Sequence, residues 1–249
     1  MDGRAKKKGE TVYGVCRVCG SYGPLTFEHV PPEAAFNHHP RWRPDTQELV
    51  AFETEGRPIS GEGIGEPRGA GAYTLCADCN NRRCNRYAIH FVDWAFAWDG
   101  ALRVQTENNR VSLTKRTRRG RVMKQIVAMF LSANPPEFGE RNPELRRYVM
   151  NAPTSGLPPY VGIHAGLTRS QDARQAGITG YTDLATGSAR FYSEIAFAPF
   201  VLQLTLNSPP TDERMIDISF FAQSGYSDNQ DTSLTLPVLN LRGFIPGMY

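Results

Sequence analysis

Four of the five cysteines form two C-x-x-C pairs, Cys16/Cys19 and Cys76/Cys79, and no other feature constrains the fold as strongly. Clustered thiols in a chain with no secretory signal read as metal ligands rather than disulfides. Each pair offers two thiolates about one turn apart, and together they complete the closed tetrahedral four-thiolate set of a structural Zn2+. Residues 20–75 separate the pairs, so the metal closes a long loop. Gly20, directly after the second cysteine, predicts the positive-φ turn that aims backbone N–H groups at the thiolates. A closed set has no open position, so this zinc is expected to build the fold and not to react. Cys84 is left over and reads as a small buried side chain without a role.

The chain around these pairs divides by pattern. Residues 1–10 read as a flexible basic tail, with no apolar stretch after them to make a secretory signal. A zinc-stabilised module is expected over 11–100, carrying a long insertion (33–72) rich in Gly, Pro and Arg, with one short helix near Pro32–Phe36. Leu25, Phe27 and Val30 make a β-like run that Pro31-Pro32 stops. Tyr87, Phe91, Trp94 and Trp98 recur at steps of four and three, the core face of a helix. Two alternating runs around Glu107-Asn108-Asn109 predict a hairpin. Helices follow at Val122–Ser132, ended by Asn134-Pro135-Pro136, and at Pro143–Met150, where a proline and an acid open the first turn. After residue 155 come short β-prone runs: YVGIHAGLT, GITGYTDL, ARFYSEIAFAPFVLQLTL, MIDISFFAQ and SLTLPVL. The expected fold class is α+β: an N-terminal zinc-stabilised module, then a β-rich α+β domain over 101–249.

Charge is distributed unevenly. Residues 151–249 carry five Arg, no Lys and eight acids, a net −3, which leaves +6 on the first 150. A basic N-terminal part suits a nucleic-acid face confined to it. Lys115, Arg116, Arg118, Arg119, Arg121 and Lys124 add a run of six cations with no acid among them, a candidate clamp on a phosphate backbone. The chain contains no apolar stretch of membrane-spanning length, and a cytoplasmic location is expected.

Between and after the cysteine pairs stand Glu28-His29-Val30-Pro31-Pro32 and, directly after Cys79, Asn80-Asn81. The order C-x-x-C, acid-His-apolar-x-Pro, C-x-x-C-Asn resembles the zinc-stabilised branch of the HNH (ββα-metal, treble-clef-like) endonuclease family over residues 13–87. Independently of that likeness, the residue types suit phosphodiester hydrolysis. His29 can take a proton from water near neutrality. Glu28 and the amide oxygen of Asn80 are hard oxygen donors for a divalent cation such as Mg2+. On a strand, Glu28 and His29 point to opposite sides and can play different parts.

The resemblance implies the same roles: His29 as general base, and Glu28 with Asn80 holding a catalytic Mg2+ or Mn2+, Asn81 sharing or replacing the part of Asn80. Arg82 and Arg83, at the start of the following helix, are expected to face phosphates. Many such nucleases carry an Asn shortly before the last C-x-x-C, whose side chain holds the His-bearing loop. Here that stretch is GAGAY. Either another residue, Asn37 in the insertion among the choices, does that work, or the loop is fixed differently.

His38-His39 read as exposed bystanders, and His90 and His164 as packing or surface residues. The expected function is a metal-dependent DNA endonuclease of a phage-defence or mobile-element kind. Residues 101–249 would bind substrate, a protein partner or a regulatory ligand. The alternatives are a non-catalytic zinc module that binds nucleic acid or protein, and an RNA-directed nuclease.

Overall fold

The computed structural model describes residues 11–39, 41–43, 55, 64–66, 69–183, 187–242 and 246–249. Strands β1 (Val12–Val15) and β2 (Tyr22–His29) form an antiparallel hairpin across the first cysteine pair. Within the insertion, β3 (Arg41–Arg43) pairs with β4 (Ile64–Glu66). Strand β5 (Gly71–Leu75) then returns to β2, giving a three-stranded sheet in the order β1-β2-β5. The predicted short helix near Pro32–Phe36 is a turn, closed by Ala35 N–H to Pro32 O at 2.8 Å and Asn37 N–H to Glu33 O at 3.0 Å. The basic tail 1–10 and most of the insertion's interior lie outside the described residues.

A wide π-type turn (Cys79–Cys84) leads into α1 (Asn85–Val104). The aromatic stripe is core: Tyr87, Phe91, Trp94 and Trp98 are buried, and Leu102 continues the stripe one turn further. That continuation explains why the predicted hairpin around Glu107–Asn109 does not form. Residues 101–104 stay helical because Leu102 extends the apolar face. The strand after the turn, β6 (Arg110–Thr117), pairs instead with β12 (Gln230–Pro237), far away in sequence. Gln105 binds the free edge of β6 like a short strand, Nε2 donating to Ser112 O at 3.0 Å and Oε1 accepting from Ser112 N–H at 3.2 Å.

Helix α2 (Arg119–Ala133) is buried from Val122 to its end, so Lys124, Gln125 and Ser132 are enclosed together with the apolar side formed by Ile126, Met129 and Phe130. The Asn-Pro-Pro stop ends α2 and also starts α3 (Pro136–Arg141), with Pro136 in its first turn. Helix α4 (Pro143–Met150) matches the predicted span. An antiparallel sheet of five strands covers this layer: β7 (Val161–Leu167), β8 (Arg174–Asp183), β9 (Ser188–Phe197), β10 (Phe200–Leu206) and β11 (Ile216–Asp217), ordered β11-β7-β10-β9-β8. The MIDISFFAQ run yields only β11, then a 3-10 turn at Ser219–Gln223, because Asp217 Oδ1 accepts from Ser219 N–H at 2.7 Å and turns the chain.

The mixed architecture is α+β. One continuous apolar core takes in Cys16 and Leu75, the α1 stripe, α2, and Ile163, Leu202 and Leu236 from the strands. Trp94 stacks on Phe200 of β10 at 4.3 Å between ring centres. Each fully buried large apolar side chain contributes about 1.5–3 kcal/mol of transfer free energy, so residues on both sides of position 100 share one stabilising interior. Position 100 itself lies inside α1. Among the described residues, no helix is long and apolar enough to cross a membrane.

Candidate metal centre and the Glu28-His29 strand

The four predicted cysteine ligands come together. The Sγ atoms of Cys16, Cys19, Cys76 and Cys79 all lie within 4.8 Å of one another, and Cys19 and Cys76 are 3.9 Å apart. Tetrahedral Zn–S bonds of about 2.3 Å set neighbouring sulfurs a little under 4 Å apart, so a cluster of this size fits Zn2+. The knuckles are built as the sequence predicts. Gly20 has φ +80°, its N–H reaching Cys16 O at 2.8 Å, and Asn80 N–H reaches Cys76 O at 2.9 Å. Hydrogen bonding from Cys79 pulls the Cys16 thiol down to about 4, while the same contact and burial push Cys79 up. Crowded thiols compete for one negative charge, and a cation removes the competition. The cluster is also locked to the helices: Arg17 donates to Ser132 O at the end of α2, and Arg146 of α4 donates to Arg17 O at 3.1 Å.

Strand β2 carries Glu28 and His29 to its end, where they face Ala72 and Gly71 of β5. Phe27 and His29 have their rings 5.0 Å apart, edge to face. Glu28 takes the other face by alternation with His29. Burial pushes its carboxyl up to about 8, the condition of an acid that gains from a nearby cation. After burial itself, Glu28 is the next cause raising the buried thiol of Cys84. Cys84 is buried, as expected.

Asn80 stands in the turn directly after Cys79, the last of the four clustered cysteines. Its Nδ2 donates to Thr26 Oγ1 at 3.0 Å and to Phe27 O at 2.9 Å. Both amide hydrogens therefore fasten β2 to the knuckle, and Oδ1 accepts no hydrogen bond among the described residues. Asn81 is exposed.

The loop after His29 is held by Asn37. Its side chain is fully buried and donates from Nδ2 to Pro31 O and to Ala70 O, both at 2.7 Å, while Oδ1 accepts from Ala70 N–H at 2.8 Å. The GAGAY stretch thus contributes backbone where a side chain is expected. Gly69 is needed beside it: φ is +83°, and a Cβ would come within 2.6 Å of Asn37 Oδ1 and closer still to its carbonyl oxygen.

Most of the basic residues named from the sequence have specific partners. Arg82 and Arg83 both pair with Asp78. Lys115 pairs with Asp93 at 3.1 Å. Arg119 donates to Gln230 Oε1, Arg118 makes a long contact to Ser227 O at 3.5 Å, and Arg121 donates to Tyr226 O at 2.9 Å. Arg116 is exposed on β6, in register with Asp231 of β12. Lys124 is buried, its Nζ donating to the carbonyls of Tyr148, Asn151 at 3.0 Å and Thr154 at 2.8 Å, so it closes the end of α4.

His38 and His39 are exposed side by side. His164 is buried with Nε2 3.2 Å from Thr205 Oγ1. His90, read from sequence as packing or surface, is half-buried with Nε2 2.9 Å from Arg121 Nη1. The sequence signal for a basic face here is the four-residue spacing of Arg82, Arg86 and His90 along the chain.

No protein-family model, curated protein or solved structure matches the chain.

Proposed function

We propose that this chain is a metal-dependent endonuclease of the HNH type, acting on DNA. The observation that carries the reading is the junction of β2 with the second knuckle, where Glu28-His29 ends a strand that Asn80 bonds through Phe27 O. Two antiparallel strands followed by a helix, pinned by a four-thiolate cluster, supply the layout that such chemistry uses. The π-type turn at Cys79–Cys84 adds support, since such turns occur often at functional sites.

A hard divalent cation, Mg2+ or Mn2+, would supply Lewis-acid stabilisation of the leaving oxygen. Glu28 and Asn80 Oδ1 are the oxygen donors that would hold it. His29 takes a proton from water as the water oxygen bonds to phosphorus and the P–O bond to the departing sugar oxygen breaks. Zn2+ stays in its closed cysteine set. A role in phage defence or on a mobile element suits a free-standing nuclease, and that assignment rests on analogy.

Plasmid cleavage tests the reading. Wild type in Mg2+ or Mn2+ should nick or linearise supercoiled plasmid, and His29→Ala should lower the rate by roughly 100-fold or more, the span of general-base catalysis. Intact plasmid across a series of divalent metals, with tight binding retained, would instead make the chain a zinc-dependent binding module. Parallel RNA substrates decide which sugar is used.

A further inference from the structure

Several arginines pair with an acid: Arg82 and Arg83 share Asp78, Arg103 has Asp99, Arg174 has Glu194 and Arg214 has Asp212. One cluster does not. Arg86 and His90 lie four residues apart on α1, facing Arg118 and Arg121 at the start of α2, with Tyr226 between them. Among the described residues, none of these three arginines has a carboxylate within ion-pair distance. Asp93, the nearest acid along α1, is taken by Lys115.

The geometry holds the cations together despite their repulsion. Arg121 lies over Tyr226, its Cζ 3.9 Å from the ring centre, and its Nη1 approaches His90 Nε2 at 2.9 Å. A guanidinium can only donate, so His90 Nε2 accepts and the imidazole is neutral. Burial first, then Arg121 and Arg118, hold its basicity down against a weaker opposing pull from Asp93. Arg86 Cζ sits 4.8 Å from the Tyr87 ring centre and 6.0 Å from that of Tyr226; its Nη2 donates to Met150 O at 3.3 Å, and its Nε is buried without a partner. Buried Lys124 adds a further positive charge, which Arg86 depresses after burial. Like charges gathered at low dielectric beside an unused buried donor are unfavourable until an anion joins them.

We propose that Arg86, His90, Arg118 and Arg121, with the Tyr226 ring under Arg121 and beside Arg86, form a binding site for a phosphodiester group of the nucleic-acid substrate. Guanidinium forks match phosphate oxygens two at a time, whereas a lone ammonium offers a point charge. Arg86 follows Asn80 by six residues, at the start of α1 just after the π-type turn. Each strand of duplex carries one phosphate per about 3.4 Å of axis, so a bound strand offers this guanidinium cluster phosphates besides the one at the scissile bond. This deepens the nuclease reading and rests on it for the identity of the substrate.

The test is a salt titration of binding to a short fluorescein-labelled DNA duplex, read by polarisation in buffer without added divalent metal. Arg86→Gln, Arg118→Gln and Arg121→Gln should each weaken binding several-fold and reduce the slope of log affinity against log salt by about 0.9 per phosphate lost. Arg214→Gln, outside the cluster and paired with Asp212, should leave the slope unchanged. Arg121 also holds Tyr226 O, so thermal denaturation accompanies every variant, and Arg86→Gln and Arg118→Gln decide the matter if Arg121→Gln unfolds. Unchanged slopes in folded variants overturn the proposal, as does a wild type that binds inorganic phosphate, seen as thermal stabilisation, and no duplex. The two readings fail separately. Cleavage that needs His29 with unchanged slopes removes only this site, and altered slopes with cleavage indifferent to His29 removes only the HNH mechanism.

Discussion

The side-chain amide of Asn37 bonds the backbone of Ala70 in both directions, donating to its carbonyl at 2.7 Å and accepting from its N–H at 2.8 Å. With the further bond to Pro31 O, one buried residue fixes both ends of the long insertion beside His29. Asn37→Ala leaves buried backbone groups unpaired, each costing about 1–3 kcal/mol. Urea denaturation should show a loss of at least that size. Cleavage by the folded fraction should fall more than the folded population does, because the loop positioning His29 is released. Equal losses would make Asn37 a purely structural residue.

Zinc should be present at one ion per chain, measured by elemental analysis of protein purified without chelator. Cys76→Ser should lose that ion and several kcal/mol of stability, because binding a structural zinc is folding free energy. Cys16 belongs to the same apolar core as α2 and β10, so the loss should reach near-ultraviolet signals from Trp94 and Trp98. Retained zinc and stability in Cys76→Ser would remove the four-thiolate assignment.

A fragment covering residues 11–100 should not fold alone. It would expose Phe91, Trp94 and Trp98, which the intact chain buries, in Trp94's case against Phe200. Sharp, dispersed amide resonances from that fragment with zinc would show an independent module. Trp94→Ala in the full chain should cost about 3–5 kcal/mol, as large-to-small changes in cores do.

Lys124 predicts a pH dependence. Burial first, and then Arg86, pull its ammonium down to about 8, against about 10.4 for a lysine in an unfolded chain. Between those values the unfolded state binds more protons, so this group makes stability rise with pH across roughly pH 8 to 10. Lys124→Met should flatten that rise while lowering stability at neutral pH, since three carbonyls lose their donor. Denaturation midpoints at several pH values for both proteins check the difference; parallel curves would show that Lys124 keeps an ordinary basicity.

Some of this molecule can be read directly from its residues. Cysteine spacing specifies the cluster because zinc geometry admits few arrangements. The stripe from Tyr87 to Trp98 specifies α1 because burial selects the 3.6-residue period. Proline and acid place α4, and Gly20 places the knuckle turn. The alternation around Glu107–Asn109 points to a hairpin that does not form. Leu102 keeps the last turn of α1 helical, and the true partner of β6 comes from the far end of the chain.

Local chemistry therefore determined the metal cluster, the helical stripe and the candidate trio Glu28, His29 and Asn80. Only the tertiary structure decided that Asn37 holds Ala70, that Lys124 is buried at the end of α4, and that Arg86, His90 and Arg121 meet around Tyr226. The reason is physical. Periodicity and spacing report on interactions within one element, whereas buried hydrogen bonds and uncompensated charge depend on which distant segments packing brings together.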